Sequence, residues 1–242
     1  MSNSYFNFKQ FTVHQDKCAM KVTTDSCLFG AWVANEAKSK NATFKNILDV
    51  GTGTGLLALM IAQANTESSI DGIEIDKEAC GQAEENIKAS PWKTGIDIHC
   101  GDVKEFLFNK KYDLILSNPP FYENELNSDN NKRNIAHHSE NLSLDDILRI
   151  IKNNLADNGI FFLLLPYKRK VEIELLLEKN GLFISKKVLV RQTVHHDYFR
   201  IMLAGNTNAD TQTEENEISI KSGERQYTAD FAGLLKDYYL HL

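Results

Sequence analysis

Between residues 44 and 180 the chain alternates short apolar runs with amphipathic stretches of helical period, and no other feature restricts its fold as much. The apolar runs predict strands over 44–50, 69–75, 96–100, 112–117 and 160–165. The stretches between them predict helices over 56–64, 77–89, 143–156 and 168–180, with a helical turn or short helix over 103–108. Repeated strand–helix alternation implies a parallel sheet covered on both faces, because each crossover must travel back over one face. After residue 182 the alternation stops. Two long strands over 183–190 and 198–204, joined by 191–197, read as a hairpin that adds an antiparallel edge. The sum is an α/β chain with a seven-stranded, mostly parallel sheet. Residues 26–38 form a preceding helix with Thr24, Asp25 and Ser26 as candidate caps. A polar, acidic loop is expected over 206–216, a further short strand at 217–221, and a terminal helix over 229–240 carrying Phe231, Leu234, Leu235, Tyr238 and Tyr239. Residues 1–25 lack periodicity, with Phe6, Phe8 and Phe11 as anchors for a segment lying over the body.

At 242 residues this is one domain: a covering segment over 1–43, a core over 44–205 and an extension over 206–242. No apolar run approaches a membrane span, and the first residues hold no signal-peptide core. A net charge of −6 means that any nucleic-acid binding needs a local basic face. Cys18, Cys27, Cys80 and Cys100 have no two-residue spacing of a zinc or redox motif, so reduced, mostly buried thiols in a cytoplasmic protein are expected.

The turn after the first strand reads Leu48-Asp49-Val50-Gly51-Thr52-Gly53-Thr54-Gly55-Leu56. Glycine there lets the backbone turn sharply and approach a ligand. A dinucleotide fingerprint wants glycine at the first, third and sixth positions; here the sixth is Leu56. The lysine of a P-loop is also missing. Asp49 before the glycines would repel a pyrophosphate and suits a ligand with a positive end. Glu74 ends the second strand, where an acid can accept both hydroxyls of a ribose; Asp76 follows two residues later. Asp102 follows the third strand, within reach of an adenine amino group. Taken singly, each acid reads equally as a helix cap. Their order at successive strand ends favours a ligand site, because open α/β sheets bind outside the carboxyl ends of their strands.

Asn118-Pro119-Pro120-Phe121 follows the fourth strand. Two prolines make a stiff exit without backbone donors. They leave a side-chain amide, free carbonyls and an aromatic face together. A planar amine or amide could stack on Phe121 and donate to Asn118 and a proline carbonyl.

With these residues the chain resembles the class I S-adenosylmethionine-dependent methyltransferases over roughly residues 45–205. The resemblance implies a Rossmann-like sheet with the cofactor along Gly51, Gly53, Glu74, Asp76, Asp102 and Asn118. The tetrad looks like that of enzymes methylating planar nitrogens, with Asn118, Pro119 and Phe121 as catalytic residues and Pro120 and Tyr122 beside the base. The stretches Phe8-Lys9-Gln10-Phe11, Gln15-Asp16, Ala19-Met20-Lys21-Val22, Thr24-Asp25 and Leu28-Phe29-Gly30-Ala31-Trp32 resemble the bacterial tRNA adenine methyltransferases, which act on the adenine beside the anticodon of a valine tRNA. That similarity implies that Lys21 and Val22 line the cofactor pocket, that Thr24-Asp25 help close it, and that tRNA is the partner of a monomeric enzyme. Nitrogen methylation of ribosomal RNA guanine, DNA adenine or a protein glutamine stays open, as does a non-catalytic cofactor-binding assembly factor.

Candidate phosphate contacts are Lys9, Lys17 and Lys21, Lys132 and Arg133, Lys168, Arg169 and Lys170, and Lys186, Lys187 and Arg191, with Tyr122 and Tyr167 for stacking. His137-His138 and His195-His196 lack metal-ligand spacing, so no metal is expected. Trp32 and Trp92 read as packing residues.

Overall fold

The computed structural model describes residues 3–39, 44–120, 142–223 and 226–242. In chain order the elements are β1 (Tyr5–Asn7), β2 (Thr12–His14), α1 (Thr24–Ser39), β3 (Asn46–Val50), α2 (Leu56–Ala64), β4 (Ser69–Glu74), α3 (Lys77–Lys88), β5 (Ile96–Cys100), β6 (Tyr112–Ser117), α4 (Leu144–Asn154), β7 (Leu155–Pro166), a 3-10 turn (Tyr167–Arg169), α5 (Lys170–Lys179), β8 (Phe183–Thr193), β9 (Tyr198–Asn206), β10 (Glu214–Lys221) and α6 (Ala229–Leu235).

The main sheet has eight strands in the order β10-β8-β9-β7-β6-β3-β4-β5. The five strands β3 to β7 run parallel, and β9 pairs antiparallel with β7 and β8. The expected seven strands are corrected to eight. Residues 214–216, read as part of a loop, open β10, which pairs parallel with β8. Charge explains the pairing: Lys186 meets Glu214 at 3.7 Å and Lys187 meets Glu215 at 3.5 Å. Successive crossovers reverse direction between β3 and β6, so a crevice opens there at the carboxyl ends of the strands.

Two buried clusters sandwich the sheet. One holds α1, α2, α6 and Ile87 of α3; the other holds α4 and α5. α2 is apolar all round and buried from Leu56 to Ala62, because α1 covers its outer side. Gly30 permits that crossing, since a Cβ there would lie 2.6 Å from the Met60 sulfur. α3 starts at Asp76, whose carboxylate accepts from the amides of Glu78 and Ala79, and α4 starts at a Ser143–Asp146 capping box. Of the helical turn or short helix expected over 103–108, the structure has a turn at 103–105. Asp71 pins this crossover to the sheet, taking Tyr112 Oη at 2.8 Å and Lys110 Nζ at 2.9 Å.

Three other boundaries differ from expectation. β1 and β2 form a small hairpin within the segment that lacked periodicity. β7 begins at Leu155, so the helix before it ends earlier, and α6 stops at Leu235 rather than residue 240. Past α6 the chain turns to bury Tyr238 and Tyr239, with Tyr238 Oη on the Met60 carbonyl at 3.0 Å. Phe231 anchors this extension, fully buried and stacked on Tyr227 with centroids 4.5 Å apart. Phe231→Ala should lower unfolding free energy by about 3–5 kcal/mol in urea titrations. A loss under about 1 kcal/mol would show that the C-terminal extension is only loosely attached.

Candidate active site

The glycine turn is built as its residue types demand. Gly51, Gly53 and Gly55 have φ of 73°, 53° and 78°, a left-handed region that favours glycine. Open space lies above the Gly51 and Gly53 positions, where a Cβ would meet nothing within 4 Å. The turn is tied to its neighbour strand, since the amides of Gly51 and Thr52 both donate to the Ile73 carbonyl. The amide of Gly53 donates to Glu74 Oε2 at 2.9 Å, and Glu74 Oε1 accepts from the Asp76 amide at 2.9 Å.

The acids stand in the expected row. Asp49, Glu74 and Asp102 lie at the ends of β3, β4 and β5, which are adjacent. Asn118 follows β6, on the other side of β3, half-buried beside a buried Pro119 and an exposed Pro120. Ser117 Oγ donates to the Val50 carbonyl at 2.8 Å, which fixes the start of the tetrad against the glycine turn. Phe121 and Tyr122 lie outside the described residues, as do Lys132, Arg133 and the His137-His138 pair.

Two acids also do structural work. Asp76 caps α3, and Asp102 accepts from the Lys104 amide at 2.9 Å while facing Lys104 Nζ at 3.4 Å. Asp49 differs from expectation. Its carboxylate has no accessible surface, so a direct meeting with a ligand's positive end is not available in this geometry. Oδ2 accepts from Thr52 Oγ1 at 2.6 Å, and the Ala58 backbone amide lies close enough to the carboxylate to favour its charged form. Burial pushes this carboxyl up to about 7, against the opposing Thr52 and Ala58 hydrogen bonds and with help from the Glu74 charge. Asp49 therefore lies beneath the glycine turn, tied to it through Thr52.

The N-terminal segment reaches the same crevice. Cys18 is buried close enough to Glu74 and Asp76 for their charges to help raise its thiol to about 11, burial being the larger cause. Gln15 ties the stretch leading into α1: its Oε1 accepts from the Val22 amide at 2.7 Å and its carbonyl accepts from Lys21 Nζ. Asp25 is held by Arg200 Nε at 2.8 Å, across the start of β9. Asn86 is a residue that the sequence reading missed. Its amide nitrogen donates to Thr54 and to His14, both at 2.9 Å, joining glycine turn, α3 and N-terminal hairpin. The available signal was an amide within the buried stripe of an otherwise amphipathic helix.

The basic clusters separate by position. Lys168 and Arg169 follow β7 at the carboxyl edge, with Arg169 paired to Glu172 at 2.7 Å. Arg191 also lies on that edge, over the Tyr198 ring, and Tyr198 pairs with Tyr167. Lys186 and Lys187 sit near the opposite end of the sheet, in ion pairs with Glu36 and Glu174. Lys9 is likewise remote. Its Nζ donates to the Lys236 carbonyl, next to Asp237, whose carbonyl accepts from Gln63 in the last turn of α2. Lys17 pairs with Glu85 at 2.7 Å. Trp32 packs edge-on against Phe162 and Trp92 against Phe11, as expected. The cysteine expectation is corrected in part: Cys18 and Cys27 are free and buried, but Cys80 and Cys100 are joined as a disulfide.

The methyltransferase small domain family matches residues 33–161. A tRNA1(Val) (adenine(37)-N6)-methyltransferase of Parabacteroides distasonis is 38% identical over 244 residues, covering all of both chains. One from Yersinia enterocolitica is 37% identical, covering 98% of this chain and 92% of its own. The chain belongs to this methyltransferase family. Solved structures share the fold: an S-adenosylmethionine-dependent methyltransferase of Clostridium acetobutylicum has a TM-score of 0.56 at 16% identity, over 78% of this chain and 94% of its own. Magnesium protoporphyrin IX methyltransferase of Synechocystis, with bound S-adenosylmethionine, has a TM-score of 0.54 at 15% identity, over 75% and 79%. The chain is an enzyme that uses S-adenosylmethionine, and its residues fit that cofactor: an open glycine cradle, no phosphate-binding lysine, and acids at successive strand ends.

The buried Asp49 carboxyl sets a pH dependence. Its ordinary value is 3.8 and its folded value about 7, so between these the folded protein binds more protons than the unfolded chain. Its contribution to stability is full below pH 3.8 and is lost as pH rises through 7. Asp49→Asn should flatten the fall in unfolding free energy over this window by up to about 1.4 kcal/mol per pH unit. Urea titrations at pH 5, 6 and 7 test this, and parallel profiles for the two proteins would contradict it.

Proposed function

We propose that the enzyme methylates the exocyclic nitrogen of an adenine beside the anticodon of a valine tRNA, in the cytoplasm. The observation that carries the proposal is the placement of Asn118 and Pro119 beside the glycine turn, held there by Ser117 on the Val50 carbonyl. The full-length relatives named for this reaction support it. In this reading Glu74 takes the ribose hydroxyls of the cofactor, Asp102 its adenine amine, and Lys21 and Val22 cover it.

An adenine amine is a poor nucleophile because its lone pair is delocalised into the ring. Asn118 Oδ1 and the Pro119 carbonyl accept its two protons and draw the nitrogen toward a tetrahedral, more nucleophilic form. Bound S-adenosylmethionine supplies a methyl group on a sulfonium sulfur, which would depart as a neutral thioether. Holding donor and acceptor in line supplies much of the acceleration. Phe121 and Pro120 hold the base, which must be turned out of the RNA loop to enter. The nitrogen becomes acidic once alkylated, so its proton passes to solvent without a strong base.

Lys168, Arg169 and Arg191, on the same edge as the tetrad, are the basic residues best placed for phosphates. Lys186 and Lys187 are engaged by Glu36 and Glu174 toward the opposite end of the sheet and Lys9 by the Lys236 carbonyl, so none of them is assigned a phosphate contact.

Treatment of unmodified tRNA with enzyme and labelled cofactor, followed by nucleoside mass spectrometry, should yield labelled N6-methyladenosine. Label in guanine, or none, would refute the substrate. Asn118→Ala should lower turnover by about 100-fold or more; near-normal turnover would remove Asn118 from the mechanism. Affinity for tRNA should fall steeply between about 50 and 200 mM salt. An affinity unchanged over that range would argue against phosphate contacts.

A further inference from the structure

The Cys80–Cys100 bridge lies between the two turns that frame the adenosine end of the proposed cofactor site. Cys80 is in the first turn of α3, fully buried, and its amide donates to the Asp76 carbonyl at 2.8 Å. Cys100 is the last residue of β5 and is exposed. It is the register partner of Glu74, and the next amide, Gly101, donates to the Glu74 carbonyl at 2.8 Å. Asp102 follows directly. With Cα atoms 5.7 Å apart, the pair spans the gap between the Glu74–Asp76 turn and the Gly101–Asp102 turn without moving the backbone.

A disulfide at this place is unusual for a protein that modifies tRNA in the cytoplasm. Where cytosolic disulfides occur they are mostly transient, serving catalysis or redox sensing. The two cysteines also differ in the way that reversible chemistry needs, one accessible and one enclosed beside it. Cys18 and Cys27 are both buried and unpaired, so neither competes as the entry point.

We propose that Cys80 and Cys100 form a reversible redox modification site that sets the enzyme's affinity for its cofactor. The inference rests on the placement of the cofactor at Glu74 and Asp102. The reactant is a low-molecular-weight disulfide. The exposed Cys100 thiolate attacks one of its sulfurs, forming a mixed disulfide and releasing one small thiol. The Cys80 thiolate then attacks the Cys100 sulfur and expels the second. Two protein thiols are oxidised to one disulfide and one small disulfide is reduced to two thiols, so electrons and protons balance. The closed bridge holds both turns in the spacing seen here. A ligand that needs both then loses less freedom on binding the oxidised form.

The test equilibrates full-length enzyme in mixtures of reduced and oxidised glutathione, maps disulfides by peptide mass spectrometry, and titrates S-adenosylmethionine by calorimetry. The proposal expects a Cys80–Cys100 peptide at the oxidising ratios, reversed by reductant. It also expects cofactor affinity at least about threefold tighter in the oxidised form. Cys100→Ser, at an exposed position, should bind like reduced wild type in every buffer; Cys80→Ser should behave alike if its melting temperature shows it folded. Absence of the linkage, or equal affinity in both states, would overturn the proposal. Equal and tight binding in both states would leave the cofactor site standing, whereas no binding in either would remove that site as well. Methylation of tRNA is measured independently of both.

Discussion

Everything in this site depends on hydrogen bonds that fasten the end of one strand to the end of the next. Ser117 reaches from β6 to the Val50 carbonyl of β3, Gly53 donates to Glu74 of β4, and Gly101 of the β5 turn donates to the Glu74 carbonyl. A parallel sheet by itself leaves its strand ends as loops, each free to drift. These ties convert four loops into one edge. They are made largely by backbone groups that would otherwise be left without partners in a partly buried crevice, which is costly. The glycine turn can take part only because three of its residues adopt left-handed φ. Catalysis by positioning needs this kind of edge, since the protein contributes little covalent chemistry to such a transfer.

Electrostatics follow from the same arrangement. The chain is acidic overall, and the acids gathered at the ends of β3, β4 and β5 suit a ligand that carries positive charge and hydroxyls. Asp49, buried beneath the turn with its carboxyl held up to about 7 and one oxygen on Thr52, adds little charge to that field. Arg191, Lys168 and Arg169 stand at the same edge but across β7 and beyond, toward β8. The rim is acidic at β3 to β5, whereas from β7 outward Arg169 and Arg191 are paired with Glu172 and Glu217.

The parts legible in the sequence are those whose chemistry is local. The glycine turn, the acids after β4 and β5 and the tetrad after β6 each declare themselves within a few residues, and strand–helix alternation places them on one edge. What was not legible depends on partners distant in the chain. Residues 214–216 look like an acidic loop until Lys186 and Lys187 are placed opposite them. The same pairing explains why a basic run that resembled a phosphate site is neutralised at the far end of the sheet. Cys80 and Cys100 are 20 residues apart and belong to no spacing motif; the β4–β5 register and the start of α3 just after β4 bring them together. Asn86 was hidden because its three hydrogen bonds go to His14 and Thr54. The position of Asp49 at the end of β3 is legible in the sequence, but its burial depends on how the turn folds over it.

A crystal structure of the enzyme with S-adenosylhomocysteine tests this shared edge most directly. The ribose hydroxyls should sit on Glu74, the adenine beside Asp102, and the amino-acid end over Gly51 and Gly53, with the sulfur facing Asn118. A ligand bound elsewhere, or with its sulfur turned away from Asn118, would contradict the assignment of donor and acceptor sites.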